Sequence, residues 1–335
     1  MNNKEILKAL SYVEDPDLKK DLVSLNMIQN LEIEENSIFF DLVLTTPACP
    51  LKDTIANACK NAIKTMVNKE AIIKINITSN VQQSRDNNSV LSGIKNIVAV
   101  ASGKGGVGKS TVAINLAKTL AKAGAKVGLL DADIHGPSIP TLLNTKDRKP
   151  LMDGELMKPI EVEGIQTMSM AYLVERKQAL VWRGPMLSKA ISQFCSDVKW
   201  GSLDYLFVDL PPGTGDIHLS IIQHIPLSGV VLVTTPEEVA VSDTRKAIDM
   251  FQNPHIAQNM IGLIENMSFF QPNDDGKKYY IFGQGGGQQL CDEAGIDFLG
   301  EIPIKENKTF ANLEANYLSI TGKIVQKLSI LAANH

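Results

Sequence analysis

The stretch NIVAVASGKGGVGKSTVAINLAKTLAKAG, residues 96–124, decides how the rest of the chain is read. Residues 96–102 are a near-continuous apolar run, the pattern of a parallel strand buried on both faces. A glycine-rich loop follows without a break, and a segment of helical composition follows the loop. Gly103, Gly105, Gly106 and Gly108 let the backbone N–H groups on either side of Val107 turn inward around phosphate oxygens. The helix that starts near Lys109 adds its positive end to the same cradle. Lys109 stands where it reaches β- and γ-phosphates, and the Ser110 hydroxyl, backed by Thr111, stands where it can ligate Mg²⁺.

A strand, such a loop and a helix in this order form the Walker A context for ATP. The loop also needs an acid at the end of a neighbouring strand. LFVDLPPGTGD (206–216) reads as a buried strand ending in Asp209, an acid that holds Mg²⁺ through water. Gly213 and Gly215 let the following loop move with the γ-phosphate. KVGLLDADIHGPS (126–138) ends in Asp131 and Asp133, one of which can orient the attacking water; the alternative is that these acids cap loops. His135 follows them and is assigned no role. Lys104 is a cation that a generic phosphate loop does not require. Either it points out of its own loop towards the nucleotide of a facing subunit, like an arginine finger, or it is a solvated surface lysine.

From Ile94 onward strands alternate with helices. The strands are NIVAVAS, KVGLLDAD, GIQTMSM, DYLFVDLP, GVVLVTTP, MIGLIENM and FLGEIPI. STVAINLAKTLAKAG, LSKAISQFCSDV and VSDTRKAIDMFQ are helical. The expected fold is a doubly wound α/β domain with a mostly parallel sheet, spanning 94–335. Residues 1–80 read as a small α+β domain, with LKDTIANACKNAIKTMV placing Leu51, Ile55, Cys59, Ala62 and Met66 on one helical face. VQQSRDNNSVLSG (81–93) reads as a linker. The tail NYLSITGKIVQKLSILAANH is amphipathic through Leu318, Ile324, Val325, Leu328 and Leu331, and reads as a core-docking helix. Lys323 and Lys327 are too little charge for lipid attraction.

The chain of 335 residues is 44% hydrophobic and 21% charged, with a net charge of −4. That balance gives no field for nucleic acid or for an anionic membrane. The N-terminus carries no apolar signal segment, and no apolar run is long enough to span a bilayer. Cys49, Cys59, Cys195 and Cys291 show no paired spacing, which fits a reduced, cytoplasmic protein. Cys59, Cys195 and Cys291 read as structural. Cys49 precedes Pro50 in TTPACP (45–50). If it caps the following helix, the helix end lowers its pKa and suits it to metal or thiol chemistry; otherwise it is a small buried hydrophobe.

KGGVGKS (104–110), with its additional lysine, resembles the deviant Walker A loop of dimeric ATPases. DADIHGPSIP (131–140), WRGPM (182–186), DLPPGTGDIHLS (209–220), TTPEEVAVSDTRKAIDMF (234–251), IENMS (264–268) and IFGQGGG (281–287) are similar to the Mrp/ApbC iron–sulfur cluster carriers within that group. TTPACPLKD (45–53) resembles part of the small domain often fused ahead of them. The resemblance implies a homodimer with slow ATPase activity that delivers clusters to apo iron–sulfur client proteins. It implies that Lys104 crosses the dimer, that Asp133 lies near the attacking water, that Asp209 is the second switch acid and that Asn266 contacts adenine. It also implies a [4Fe–4S] cluster held by a Cys-x-x-Cys pair from each subunit, placed between ENMS and IFG. Here ENMSFFQPNDDGKKYYIFG (265–283) contains no cysteine, and Pro272, Asn273 and Asp274 occupy the region. Amide and carboxylate oxygens replace thiolate poorly at iron–sulfur clusters. Cys49 remains as a possible cluster or thiol ligand. The alternative is a nucleotide-switched positioning or scaffold ATPase that holds no cluster.

Overall fold

The chain folds into two units: Met1–Gln82 with Val325–His335, and Gln83–Ile324. The computed structural model describes residues 1–84, 91–133, 136–172, 191, 193–272, 276–305 and 313–333. Of the 81–93 segment expected to be a linker, residues 85–90 lie outside them; Val81 and Ser84 are buried, and the Ser84 hydroxyl donates to Asn96 Oδ1.

In the first unit, Asn2 caps helix α1 (Asn3–Leu10) in a capping box with Glu5. A short ladder of β1 (Glu14–Asp15) and β2 (Lys20–Asp21) follows. Strands β3 (Ile28–Glu34) and β4 (Ser37–Leu44) form a hairpin, and α2 (Lys52–Met66) carries the chain to β5 (Ile72–Ser79), parallel to β4. Along β4 every second residue is buried (Ile38, Phe40, Leu42 and Leu44), the period-2 signature of a one-faced sheet. They pack with Ile55, Ala56, Cys59 and Ile63 of α2. Ile55 and Cys59 thus lie inside as expected, Ala56 and Ile63 complete the buried stripe, and Met66 is exposed. Gln326, near the chain end, donates to Asp17 in this unit.

The second unit is built on an eight-stranded sheet. In chain order its elements are β6 (Ile94–Ser102), α3 (Lys109–Lys122), β7 (Val127–Asp131), α4 (Ile139–Leu142), the short ladder β8 (Met152–Asp153) and β9 (Leu156–Met157), β10 (Ile160–Val162), β11 (Ile165–Ser169), β12 (Leu203–Pro212), α5 (Asp216–His224), β13 (Gly229–Thr234), α6 (Glu238–Gln252), β14 (Met260–Phe270), α7 (Gly286–Ala294), β15 (Phe298–Ile304) and α8 (Glu314–Ala333). The sheet order is β10-β11-β7-β12-β6-β13-β14-β15, parallel throughout except for β10 against β11. All seven expected strands are present; β8, β9 and β10 are additions too short to show a period. The connection from β6 runs towards β7, and the one from β12 runs the other way, to β13. Their loops therefore face one another over the crevice at the carboxyl ends of β6 and β12, the switch point where such sheets bind ligands. In α8 the buried residues include Tyr317, Ile320, Ile324, Val325 and Leu328, whereas Leu318, expected inside, is exposed.

Candidate nucleotide site

The phosphate loop leaves β6 at Ser102 and enters α3 at Lys109, with Gly108 as the cap residue in the left-handed region at φ 82°. A side chain at Gly108 would also overlap the amide of Asn266, so the position accepts only glycine on both counts. Gly103 lies against α6: a methyl group there would overlap the main chain of Asp243 and Thr244. The first turn of α3 carries no acid, so its positive end is left for an anion.

Lys109 is 6% exposed, and its Nζ lies 2.5 Å from Asp209 Oδ1. Asp209 is fully buried at the end of β12, and its second oxygen, Oδ2, has no partner among the described residues. Burial pushes its carboxyl above the ordinary range, Lys109 and then Ser110 pull it back, and the Asp133 charge adds to the rise. A buried carboxylate oxygen left unpaired beside the Ser110 hydroxyl fits a hard divalent cation, so these residues suit Mg²⁺.

The Asp131/Asp133 pair divides its labour. Asp131 lies level with Asp209 on the neighbouring strand and is fully buried. Its oxygens accept from Ser169 Oγ at 3.0 Å, from the Asp133 N–H at 3.2 Å and from the Ile139 N–H at 3.3 Å. Burial first, then the Asp209 charge, push its pKa up to about 8. Asp131 is thus a brace that shapes the loop, while half-buried Asp133, among the described residues, accepts from the Gly136 N–H, at 3.1 Å. His135 lies outside the described residues. The Gly213 N–H donates to Ser102 O at 2.9 Å, tying the loop after Asp209 to the end of β6.

Lys104 turns away from this centre and pairs with Glu237, the cap residue of α6, at 3.3 Å. Asn266 Nδ2 donates to Val107 O at 2.8 Å, and Asn266 lines a cavity of about 410 Å³ with Gly108, Thr111, Asn115, Pro303 and Tyr317. The cavity continues from the loop and is of a size for a base. Glu237, Ser169 and the wall residues Pro303 and Tyr317 are functional-site candidates that sequence reasoning missed. For Glu237 a signal existed: it is an acid opening a helix directly after a strand of the parallel sheet.

The expectation of a thiolate at Cys49 is corrected. Helix α2 starts at Lys52 with Leu51 as its cap residue, so Cys49 and Pro50 precede the helix. Cys49 is 8% exposed; burial pushes its thiol up, the Leu51 backbone opposes, and Asp17 and Asp15 push it further. Burial likewise drives the thiols of Cys59, Cys195 and Cys291 up to about 12. Where a Cys-x-x-Cys was expected, Phe270 pairs with Tyr279 in an antiparallel bridge. Lys278 Nζ sits 4.1 Å from the ring centre of Phe269, and Tyr280 meets that ring edge-on. Among the described residues no group of three His, Cys, Asp or Glu is placed to hold a metal ion.

Residues 93–326 match the family model described as NUBPL iron-transfer P-loop NTPase. The chain belongs to that family. Residues 3–73 match a second model, iron-sulfur cluster assembly protein. The chain is 44% identical to the iron-sulfur cluster carrier protein of Synechocystis over 90% of its own length and 86% of the relative's. It is 46% identical to the protein of that name in Deinococcus radiodurans, over 90% of the chain and 85% of the relative. A nucleotide-binding protein of Archaeoglobus fulgidus, solved in complex with ADP, shares 38% identity and a TM-score of 0.58, covering 69% of this chain and 90% of that one. The loop, acids and cavity assembled above all lie within the segment that the NUBPL-type P-loop NTPase model matches. No helix among the described residues is long and apolar enough to cross a membrane.

Proposed function

We propose that the protein is a homodimeric ATPase of the cytoplasm that assembles iron–sulfur clusters or delivers them to apoprotein clients. The observation that carries the ATPase half is the buried Lys109–Asp209 pair beside the phosphate loop, with Asp209 Oδ2 unpaired. ATP brings phosphate oxygens to which the Lys109 ammonium transfers, and Asp209 is freed from its ion pair. Asp209 and Ser110 would then hold Mg²⁺, which neutralises charge on the β- and γ-phosphates when bound. Asp133, half-buried beside the loop, orients the water that attacks the γ-phosphorus; the bond to the bridging oxygen breaks, and ADP and phosphate leave. The partner subunit's Lys104 adds positive charge once its own ion pair with Glu237 is released. Asn266 and the cavity beside Gly108 receive the adenine.

The cluster is cargo on this reading. A second reading, an ATP-switched scaffold that holds no cluster, is favoured by the four buried, proton-retaining thiols and by the missing Cys-x-x-Cys. Anaerobic reconstitution with iron and sulfide, followed by transfer to an apo-enzyme, separates the two. Charge-transfer absorbance and restored client activity are the expected results. ATP turnover without either one selects the scaffold.

A further inference from the structure

Helix α5 opens directly after the Pro-Pro-Gly-Thr-Gly run that follows Asp209, and its first turn carries His218. The side chain is 1% exposed. Its Nε2 lies 2.8 Å from the carbonyl oxygen of Pro211. A carbonyl only accepts, so Nε2 carries the hydrogen. Nδ1 is equally buried and has no partner among the described residues. Burial pushes the ring's pKa below its ordinary value, against the Pro211 and Gly215 backbones; the Lys109 charge adds to the fall and the Asp133 charge opposes it. The ring is therefore neutral, with its one N–H committed to Pro211 and one buried lone pair unspent.

Filling space does not explain this arrangement, since an apolar ring packs as well without an unpaired buried nitrogen. The location does. Pro211 is two residues beyond Asp209, and the pairing of β12 with β6 shifts register between Asp209 and Pro212. Pro211 and Pro212 have no N–H to give, so neither can donate a tie to a neighbouring strand. The next main-chain tie is that of Gly213 to Ser102. Between Asp209 and Gly213, the Pro211 carbonyl is held by His218.

We propose that His218 is a positioning residue for ATP hydrolysis. Its Nε2–H fixes the Pro211 carbonyl and so the strand end that carries Asp209. Its Nδ1 accepts a main-chain N–H of the Gly213–Gly215 segment when that segment closes on the γ-phosphate. His218 itself touches neither nucleotide nor Mg²⁺. The inference rests on the ATPase reading above.

The test uses the full chain as parent, His218→Ala, His218→Gln and His218→Asn, with phosphate release and the affinity for a fluorescent ADP analogue measured for each. Ala should lower kcat at least about tenfold and leave nucleotide affinity within about twofold. Gln offers an amide N–H at the reach of Nε2 together with an acceptor oxygen, and should recover kcat to within about threefold; Asn is too short and should behave as Ala. Nitrogen-15 NMR of the parent supplies a readout independent of any variant's folding. It should show the neutral Nε2–H tautomer, and its Nδ1 resonance should shift when MgADP with beryllium fluoride is added. An Ala variant that keeps the parent's kcat, affinity lost in step with kcat, or an Nδ1 signal unmoved by the analogue each overturns the assignment. A parent that releases no phosphate overturns the ATPase reading, and this inference with it; an active parent with an unaffected Ala variant overturns this inference alone.

Discussion

Asp209 in the large unit and Cys49 in the small one are both buried acids, and the chain treats them oppositely. Around Asp209, burial raises the carboxyl and a lysine at 2.5 Å opposes that rise, so the group has a counter-ion in the dry end of the sheet. Around Cys49, the neighbouring charges are Asp17 and Asp15, which act in the same direction as burial, and Lys52 is only a minor counterweight. A group given its counter-ion is ready to exchange that ion for another; a group given like charges is held in its neutral form. The phosphate-loop edge is therefore prepared for ionic ligands, and the Cys49 site is built as packing.

The contrast breaks first at Lys109. Lys109→Ala should reduce phosphate release below about one-hundredth of the parent. Because it strands the Asp209 charge, it should also lower the unfolding free energy by about 3–5 kcal/mol in urea titrations without nucleotide. Parent-like turnover in this variant would remove Asp209's counter-ion from the mechanism. Lys104→Ala is the next largest effect. Phosphate release should fall about ten- to a hundredfold, while ADP affinity and stability stay near the parent's, because the Lys104–Glu237 pair is exposed and such pairs contribute little.

Asp131→Asn sharpens the comparison through pH. The native pKa of about 8 lies above the ordinary 3.8, so the folded protein keeps a proton that the unfolded chain has lost. The stabilisation from this group is complete below the unfolded value and disappears as pH rises through the folded one. Urea midpoints of the nucleotide-free parent should therefore decline from about pH 5 to pH 9, and Asn should flatten that slope. The smallest effect is expected at Cys49. Cys49→Ala should cost about 1 kcal/mol from a small lost contact volume and leave phosphate release unchanged. Iodoacetamide should label the native thiol more slowly than the unfolded one, and faster labelling would contradict the packing role.

Much of the large unit was legible because its signals are local. A buried strand, a glycine-rich turn and a lysine at the helix start are contiguous, and β7, β12 and β14 carry the acids and the amide that stand near them. The remainder depends on approaches between distant segments. Lys104 and Glu237 are 133 residues apart, and nothing near either one announces the other. Asp131 and Asp133 have the same composition locally; Ser169 and the Ile139 N–H, brought in by β11 and α4, make Asp131 a brace. The sequence left Cys49 open between two readings because Pro50 suggests a helix start, whereas the helix begins beyond it and the acids that oppose a thiolate come from another part of the small unit. Met66 and Leu318 fit an apolar stripe by spacing, yet each falls where its helix meets solvent.

At Gly103, main chain rests directly on main chain, with no side chain to act as a cushion. The phosphate-loop turn can then shift towards α6 only by pushing it, as one rigid part bears on another. Arg245 of α6 is paired with Glu293 of α7, and α7 follows the aromatic turn that stands where relatives' thiols were expected. A displacement of that turn thus has a mechanical route, through two helices, away from the loop.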